Sequence, residues 1–346
     1  MSPPAPALPS TAMEGREKTI GDRVNEPGST HAALSFASRL RFPPPAHILV
    51  LRGGAVGDFI LTIPALALLR RRYPGARIQL LGYPAIASLA EAEGLVDQVL
   101  SIEDPALSPL FVRDGRIPTR WRDRFAAQEL ALSFLYDPEG IVRGQWSRCS
   151  PAPWIAGPHR PDEGRSQHAI EVFLEPLRAL GIEDAPPWPC LRNLAAKPGS
   201  LPDGTWLAIH PGSGSPKKNW PESRWRQLIE RLLGRCGVHF LIVGGEAESG
   251  RLEPLVAGLP AERVRLLENR PLVEVARHLA ACGGFVGHDS GITHLAAALG
   301  LPVLALWGPS NASVWRPWGD RIQVLRRPGG IQSLTVAEVE AAVINL

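Results

Sequence analysis

Residues 284–308 read GFVGHDSGITHLAAALGLPVLALWG, and their pattern decides the fold. GFVG (284–287) is a short apolar strand, ITHLAAALG (292–300) a helix, and VLALWG (303–308) a second strand. A strand, a helix and another strand in so few residues form one turn of a parallel sheet covered by helices. The alanine run lets the helix lie close to that sheet. Asp289 and Ser290 fall between the first strand and the helix. Free N–H groups at the helix start, together with its dipole, make a ready anion site. Gly291 permits close approach of a ligand, and Thr293 adds a hydroxyl. His294 on its own reads as structural, since a lone histidine is more often packed than functional.

The same alternation extends outward in both directions. WLAIH (206–210) and HFLIVGG (239–245) are strands, and Trp225, Leu228, Ile229, Leu232 and Leu233 follow helical spacing between them. LVEVARHLAAC (272–282) is a helix. Thr335 and Glu338 have the spacing of a capping box for a last helix, 336–346. Toward the N-terminus, HILVL (47–51), RIQLLG (77–82), VDQVLSI (96–102), LALSFLYD (130–137) and PWIAG (153–157) read as strands. Helices are expected from Asp58 to about Arg72, kinked at Pro64, over 84–94, and over 168–181. The stretch 103–128 has no clear period. Five prolines mark 184–204 as the linker. The expected organisation is a disordered tail (1–42), an N-terminal Rossmann-like domain (43–190) and a C-terminal one (191–346). A cleft between the carboxyl ends of the two sheets is the default site.

The bulk numbers exclude several classes. The chain has 346 residues, 45% hydrophobic and 21% charged, with a net charge of +3. That length suits two cores. The mild charge argues against nucleic acid as a partner. Four scattered cysteines, Cys149, Cys190, Cys236 and Cys282, make neither a zinc site nor a disulfide framework. No apolar run approaches the roughly 20 residues that span a bilayer, and the N-terminus lacks signal-peptide pattern. A cytoplasmic protein without a bound metal or other cofactor is expected.

Three further segments can carry chemistry. In LRGGAVGD (51–58), glycines bring backbone close to a ligand at a helix start. Asp58 there could act as a base, although an ordinary helix N-cap is the better reading of position alone. The spacing is not GxGxxG, and no acidic residue ends the second strand, which weakens a nicotinamide-dinucleotide reading. In HPGSGSPKKNWP (210–221), Ser213, Gly214 and Ser215 offer hydroxyls and N–H groups, and Lys217 and Lys218 offer charge, a set suited to a diphosphate. The alternative is a solvated turn with surface lysines. In VGGEAE (243–248), Glu246 could hold ribose hydroxyls or merely cap a helix.

Taken in order, ILVLRGGAVGDFILTIPAL (48–66), KNWP (218–221) and GHDSGITHLAAALGLPVLALWGPS (287–310) resemble glycosyltransferase family 9, the ADP-heptose:lipopolysaccharide heptosyltransferases. The resemblance runs from about His47 to Gly319 and is thin between 103 and 165. It implies a GT-B fold and an inverting, metal-independent transfer, and no DxD triplet is present. It implies a base role for Asp58, a phosphate-facing Lys218, a phosphate loop at Ser213–Ser215 and a ribose carboxylate at Glu246. Asp289, Ser290, Gly291 and His294 match the family's D-[TS]-G-x-x-H donor turn. Gly57 and Arg52 fall on the acceptor side, and Arg165 and His168 are further guesses there. The implied partners are an ADP-sugar donor and a glycolipid or lipopolysaccharide-core acceptor, and a glycolipid would bring peripheral contact with the inner membrane; Arg70, Arg71 and Arg72 could assist there, although a solvated helix end is the better reading of them. Rival readings are a transferase of another nucleotide sugar, a silent nucleotide-sugar binder, and an oxidoreductase.

Overall fold

The strand–helix alternation resolves into two parallel sheets. The computed structural model describes residues 44–235 and 237–346. The expected disordered tail, 1–42, and Cys236 lie outside the described residues. The first half runs β1 (His47–Arg52), α1 (Val56–Arg72), β2 (Arg77–Gly82), α2 (Pro84–Glu93), β3 (Gln98–Ser101), α3 (Thr119–Ala126), β4 (Leu130–Ser133), α4 (Ile141–Cys149), β5 (Trp154–Ala156) and α5 (Ala169–Leu174). A short α6 (Arg192–Ala195) sits in the proline-rich segment. The second half runs β6 (Thr205–His210), α7 (Glu222–Arg235), β7 (Val238–Gly244), α8 (Leu252–Val256), β8 (Val264–Glu268), α9 (Leu272–Ala280), β9 (Gly284–His288), α10 (Gly291–Ala298), β10 (Val303–Leu306), α11 (Ala312–Trp315), β11 (Ile322–Leu325) and α12 (Val336–Ile344).

The strand orders are β3-β2-β1-β4-β5 and β11-β10-β9-β6-β7-β8, and each pairing is parallel. Each sheet reverses its winding once, between β1 and β4 and between β6 and β9. At a reversal the outgoing loops part to opposite faces and leave a crevice at the strand ends. The loops after β1, β6 and β9 therefore open onto crevices, and these are the segments singled out from sequence.

Side chains alternate along the strands as the pleat requires. Leu49 and Leu51 enter an outer cluster with Trp121, Phe125 and Trp146. Leu207 and Ile209 enter an outer cluster on the other sheet with Trp220 and Trp225. Ile48 and Val50 from one sheet, and Ala208, Leu241 and Val303 from the other, all belong to one continuous inner core. α1 packs against α10, and α2 against α9, so this core bridges the two halves. α1 is consequently buried at every position from Phe59 to Leu69, and a helix apolar all round is one covered all round. The described residues thus make one compact unit.

Several expectations need correction. The stretch 103–128 is structured: a 3-10 turn spans Pro105–Phe111, and α3 follows. Trp121 and Phe125, one helical turn apart, bury α3 under its arginines. α4, β8 and β11 were not expected. The 168–181 helix is α-helical only to Leu174 and continues as a 3-10 turn, Glu175–Leu180. Pro176 has no N–H for an α-helical bond. The proline-rich segment is clamped. The buried Glu93 carboxylate accepts from the N–H groups of Asn193 (2.8 Å) and Leu194 (2.9 Å). On the other side, the N–H groups of Cys190 and Leu191 both donate to the Ala298 carbonyl at 3.1 Å. Arg70 is also committed, to the Leu95 and Ala76 carbonyls and to Asp97 at 2.6 Å. Among the described residues no helix is long and apolar enough to cross a membrane.

Candidate functional site

The start of α1 meets the start of α10. Only glycine fits on the α10 side: a Cβ on Gly291 would lie 2.7 Å from Val56 Cβ and 3.0 Å from the Gly57 nitrogen. A cavity of about 260 Å³ opens beside this contact. Its walls include Gly57 and Asp58 from the first half and Gly214, Lys218, Asp289, Ser290, Gly291 and His294 from the second. Residues from opposite halves of the sequence are thereby brought together.

Asp58 is not the N-cap of α1. Ala55 occupies that position, and Asp58 stands at the third residue of the helix. Its Oδ2 accepts one long bond, 3.4 Å, from the Ala55 N–H. Little else holds the carboxylate, so it is available to the cavity. Arg52 is not among the residues that line the cavity. It is buried, and its guanidinium donates to the carbonyls of His159 (2.9 Å), Asp58 (2.9 Å) and Phe134 (3.4 Å) while stacking on Phe173. Burial lowers its pKa to about 10, partly offset by Asp58, which leaves it charged at neutral pH. Arg52 is therefore the brace that fixes the Asp58 backbone.

On the opposite wall, Lys218 Nζ lies 2.5 Å from Asp289 Oδ2, and both residues line the cavity. The Ser213 hydroxyl is already engaged, with the Ser215 carbonyl (2.8 Å) and Asn219 Oδ1 (2.6 Å). Of the 213–215 loop, Gly214 alone lines the cavity. Thr293 is fully buried, and its hydroxyl donates to the His288 carbonyl. Neither hydroxyl is free for a ligand, so the contribution of these segments is backbone N–H. Ser290 is the N-cap of α10, accepting from the Thr293 N–H at 3.4 Å. His294 lines the cavity beside Gly57, and its Nδ1 has no partner. Burial pushes its pKa down to about 4, so it is neutral at physiological pH. Glu246 is exposed on the turn after β7 and does not line the cavity. Two residues on, Glu248 is buried and accepts from the Gly245 N–H at 3.0 Å.

Sequence reasoning missed the rim that joins the halves. Arg160 stacks on Trp315, with 5.3 Å from guanidinium to ring centre, and Glu163 Oε1 accepts from Trp315 Nε1 at 3.0 Å. All three line the cavity. Asn311 Nδ2 donates to the Glu163 carbonyl at 3.3 Å. His168 caps α5 through Nδ1 and donates from Nε2 to the Arg316 carbonyl at 2.8 Å. It is thus a structural bridge. Arg165 is exposed beside Asp162. No local pattern flags these contacts, because each spans about 150 residues.

With this geometry in hand, the likeness to known proteins is specific. The sequence model of glycosyltransferase family 9 (heptosyltransferase) matches residues 189–336. Lipopolysaccharide heptosyltransferase 1 of Pseudomonas aeruginosa is 27% identical over 293 residues, covering 79% of this chain and 81% of the relative. The enzyme of the same name from Escherichia coli O18:K1:H7 is 24% identical over 317 residues, covering 85% and 95%. Among solved structures, E. coli heptosyltransferase WaaC with ADP superposes with a TM-score of 0.69 at 21% identity, over 86% of this chain and 99% of that one. The fold is GT-B, two parallel α/β halves flanking a cleft. The chain is thus similar over residues 189–336 to glycosyltransferase family 9 (heptosyltransferase), and over most of its length to lipopolysaccharide heptosyltransferases.

Proposed function

We propose that this enzyme transfers heptose from ADP-heptose to a lipopolysaccharide-core or related glycolipid acceptor, by an inverting displacement that needs no metal. One observation carries the reading: Asp58 of the first half and the Lys218–Asp289 pair of the second line the same cavity. The relatives are named as lipopolysaccharide heptosyltransferases, and a related solved structure holds an ADP-heptose analogue. In this reading the halves divide near residue 190, the first binding acceptor and the second donor. A glycolipid acceptor also brings the enzyme to the inner face of the membrane.

Asp58 takes the proton of the acceptor hydroxyl as its oxygen bonds to the anomeric carbon. The bond from that carbon to the diphosphate breaks on the opposite face, and the electron pair leaves with ADP. Lys218, the Gly214 backbone and the N–H groups at the start of α10 face the growing charge. Such preorganised donors act most strongly on charge that develops in the transition state. Glu246 would reach the ribose from the β7 turn only as the outer edge of the nucleotide site, and His294, neutral and buried, packs against the donor turn.

The test is Asp58→Asn and Lys218→Ala, assayed with ADP-heptose and a core acceptor. Asp58→Asn should abolish transfer and leave ADP affinity within about twofold, since general-base removal costs about 10²–10⁴ in rate. Lys218→Ala should weaken ADP binding by about tenfold or more. Near-normal turnover in the first variant, or unchanged ADP affinity in the second, removes the assigned role.

A further inference from the structure

Behind the start of α10 lies a buried acid–imidazole pair that the mechanism above does not use. His210 ends β6, and Glu248 lies in the turn after β7. Both are buried, with Nε2 and Oε2 3.7 Å apart. The other ring nitrogen, Nδ1, is 3.2 Å from Ser290 Oγ. The chain Glu248–His210–Ser290 therefore runs from the interior to the cavity wall.

Counting hydrogens gives each bond its direction. Thr293 Oγ1 gives its one proton to the His288 carbonyl. Toward Ser290, 3.1 Å away, it can only accept, so Ser290 gives its proton to Thr293. Ser290 Oγ has only lone pairs left. One takes the Thr293 N–H and the other faces His210 Nδ1, which must then carry hydrogen. Nε2 lies on the side of the Glu248 carboxylate, 3.7 Å from Oε2. Burial pushes the Glu248 carboxyl up, but the neighbouring His210 ring and the Gly245 N–H outweigh this and hold it below the ordinary range, so the carboxylate is ionised. The other charges nearby are spoken for: Arg251 pairs with Glu222 at 2.5 Å, and Lys218 with Asp289. The neighbouring His288 is neutral, its pKa pushed down to about 3 by burial. Glu248 also sits against Gly212, where a Cβ would lie 1.9 Å from Oε1. One carboxylate thus supports both the loop after β6 and, through His210, the start of α10.

We propose that His210 is a positioning residue of the donor site: seated beside the Glu248 carboxylate, its Nδ1–H holds the Ser290 hydroxyl and so aims the free N–H groups of α10 at the departing diphosphate. This rests on the diphosphate-donor reading. Because charge grows on the leaving group as the bond breaks, loss of this support acts on kcat more than on the acceptor KM.

The experiment compares wild type, His210→Gln, Glu248→Gln, Ser290→Ala, Ser290→Thr and the His210→Gln/Ser290→Ala double variant. Turnover, both KM values and ADP Kd by calorimetry are measured for each, with melting curves as the control for folding. His210→Gln should lower kcat by about 10- to 100-fold, the range seen when a supporting hydrogen bond to a site ligand is removed, with the acceptor KM unchanged. Ser290→Ala should match it, Ser290→Thr should restore most of the loss, and the double variant should lose no more than the worse single. Retention of kcat and ADP Kd within twofold in His210→Gln overturns the proposal, as does a double variant whose losses multiply. Should His210→Gln not fold, the Ser290 pair decides: threonine no better than alanine overturns it. Failure of wild type to bind ADP would instead sink the donor reading. ADP binding by wild type with equal binding and turnover in His210→Gln sinks only this inference.

Discussion

At the residue scale, burial keeps His288 and His294 neutral where an exposed imidazole would titrate. His294 and His288 have pKa values pushed down to about 4 and about 3 from 6.5 by burial, and burial lowers His168 as well. Below the unfolded value near 6.5 the unfolded chain takes up protons that the folded chain refuses. Stability therefore falls as pH falls, by about 1.4 kcal/mol per pH unit for each histidine until its folded pKa is reached. The depressed carboxylates Asp97 and Glu248 add their own loss only below the ordinary carboxylate range, so the window from pH 6.5 to 5 belongs to the imidazoles. Urea melts at pH 7 and pH 5 should show a clear loss for wild type. His294→Asn should recover about 2 kcal/mol of that loss. A flat wild-type profile across the window contradicts the buried, neutral assignment.

At the scale of elements, α1 and α10 touch through Gly57 and Gly291, both of which line the cavity. Adding a methyl at Gly291 gains up to about 1 kcal/mol of helix propensity. It also forces two backbones apart, which costs about 1–3 kcal/mol, and the clash should win. Gly291→Ala is expected to lower stability and to cut transfer by about 10²-fold, the usual cost of a 1 Å misplacement. A Cβ at Gly57 would lie 3.3 Å from the His294 ring edge and 3.6 Å from the Gly291 Cα, looser than the contacts at Gly291, so Gly57→Ala should be milder. Equal activities of the two variants would show that helix separation does not govern the site. The glycines, Asp58 and the DSG turn were legible in sequence because a chain leaving a strand for a helix needs small residues and free N–H groups at fixed offsets. The commitments of Ser213, Thr293 and Arg52 were not legible. A hydroxyl or guanidinium reads as a ligand group until the carbonyls around it are known. The α3 helix was hidden for a related reason: two aromatic anchors carry its burial amid arginines, too few for a visible period.

At the scale of the molecule, the two sheets are joined by one inner core and latched at the cavity rim by Glu163, Trp315 and Arg160. Calorimetry should give one unfolding transition whose calorimetric and van't Hoff enthalpies agree. ADP at 100 times its Kd should stabilise the whole by about 2.7 kcal/mol. Two separated transitions, only one of them moved by ADP, would show that the halves unfold independently. The alternation of strands announced both halves in sequence, yet the proline run between them read simply as a linker. Proline density records where a chain cannot join a sheet, and says nothing about which distant carboxylate holds it down.

That clamp reaches beyond this one chain. Glu93 in the first half holds residues 193 and 194, and Ala298 in the second holds 190 and 191. The junction is therefore written in three places along the gene. A recombinant that exchanges one half for that of a relative, crossing over among the prolines, keeps the seam and discards one of its fasteners. Hybrid enzymes built to mix acceptor and donor preferences should assemble only when the residue at position 93 and the end of α10 travel with the junction they secure.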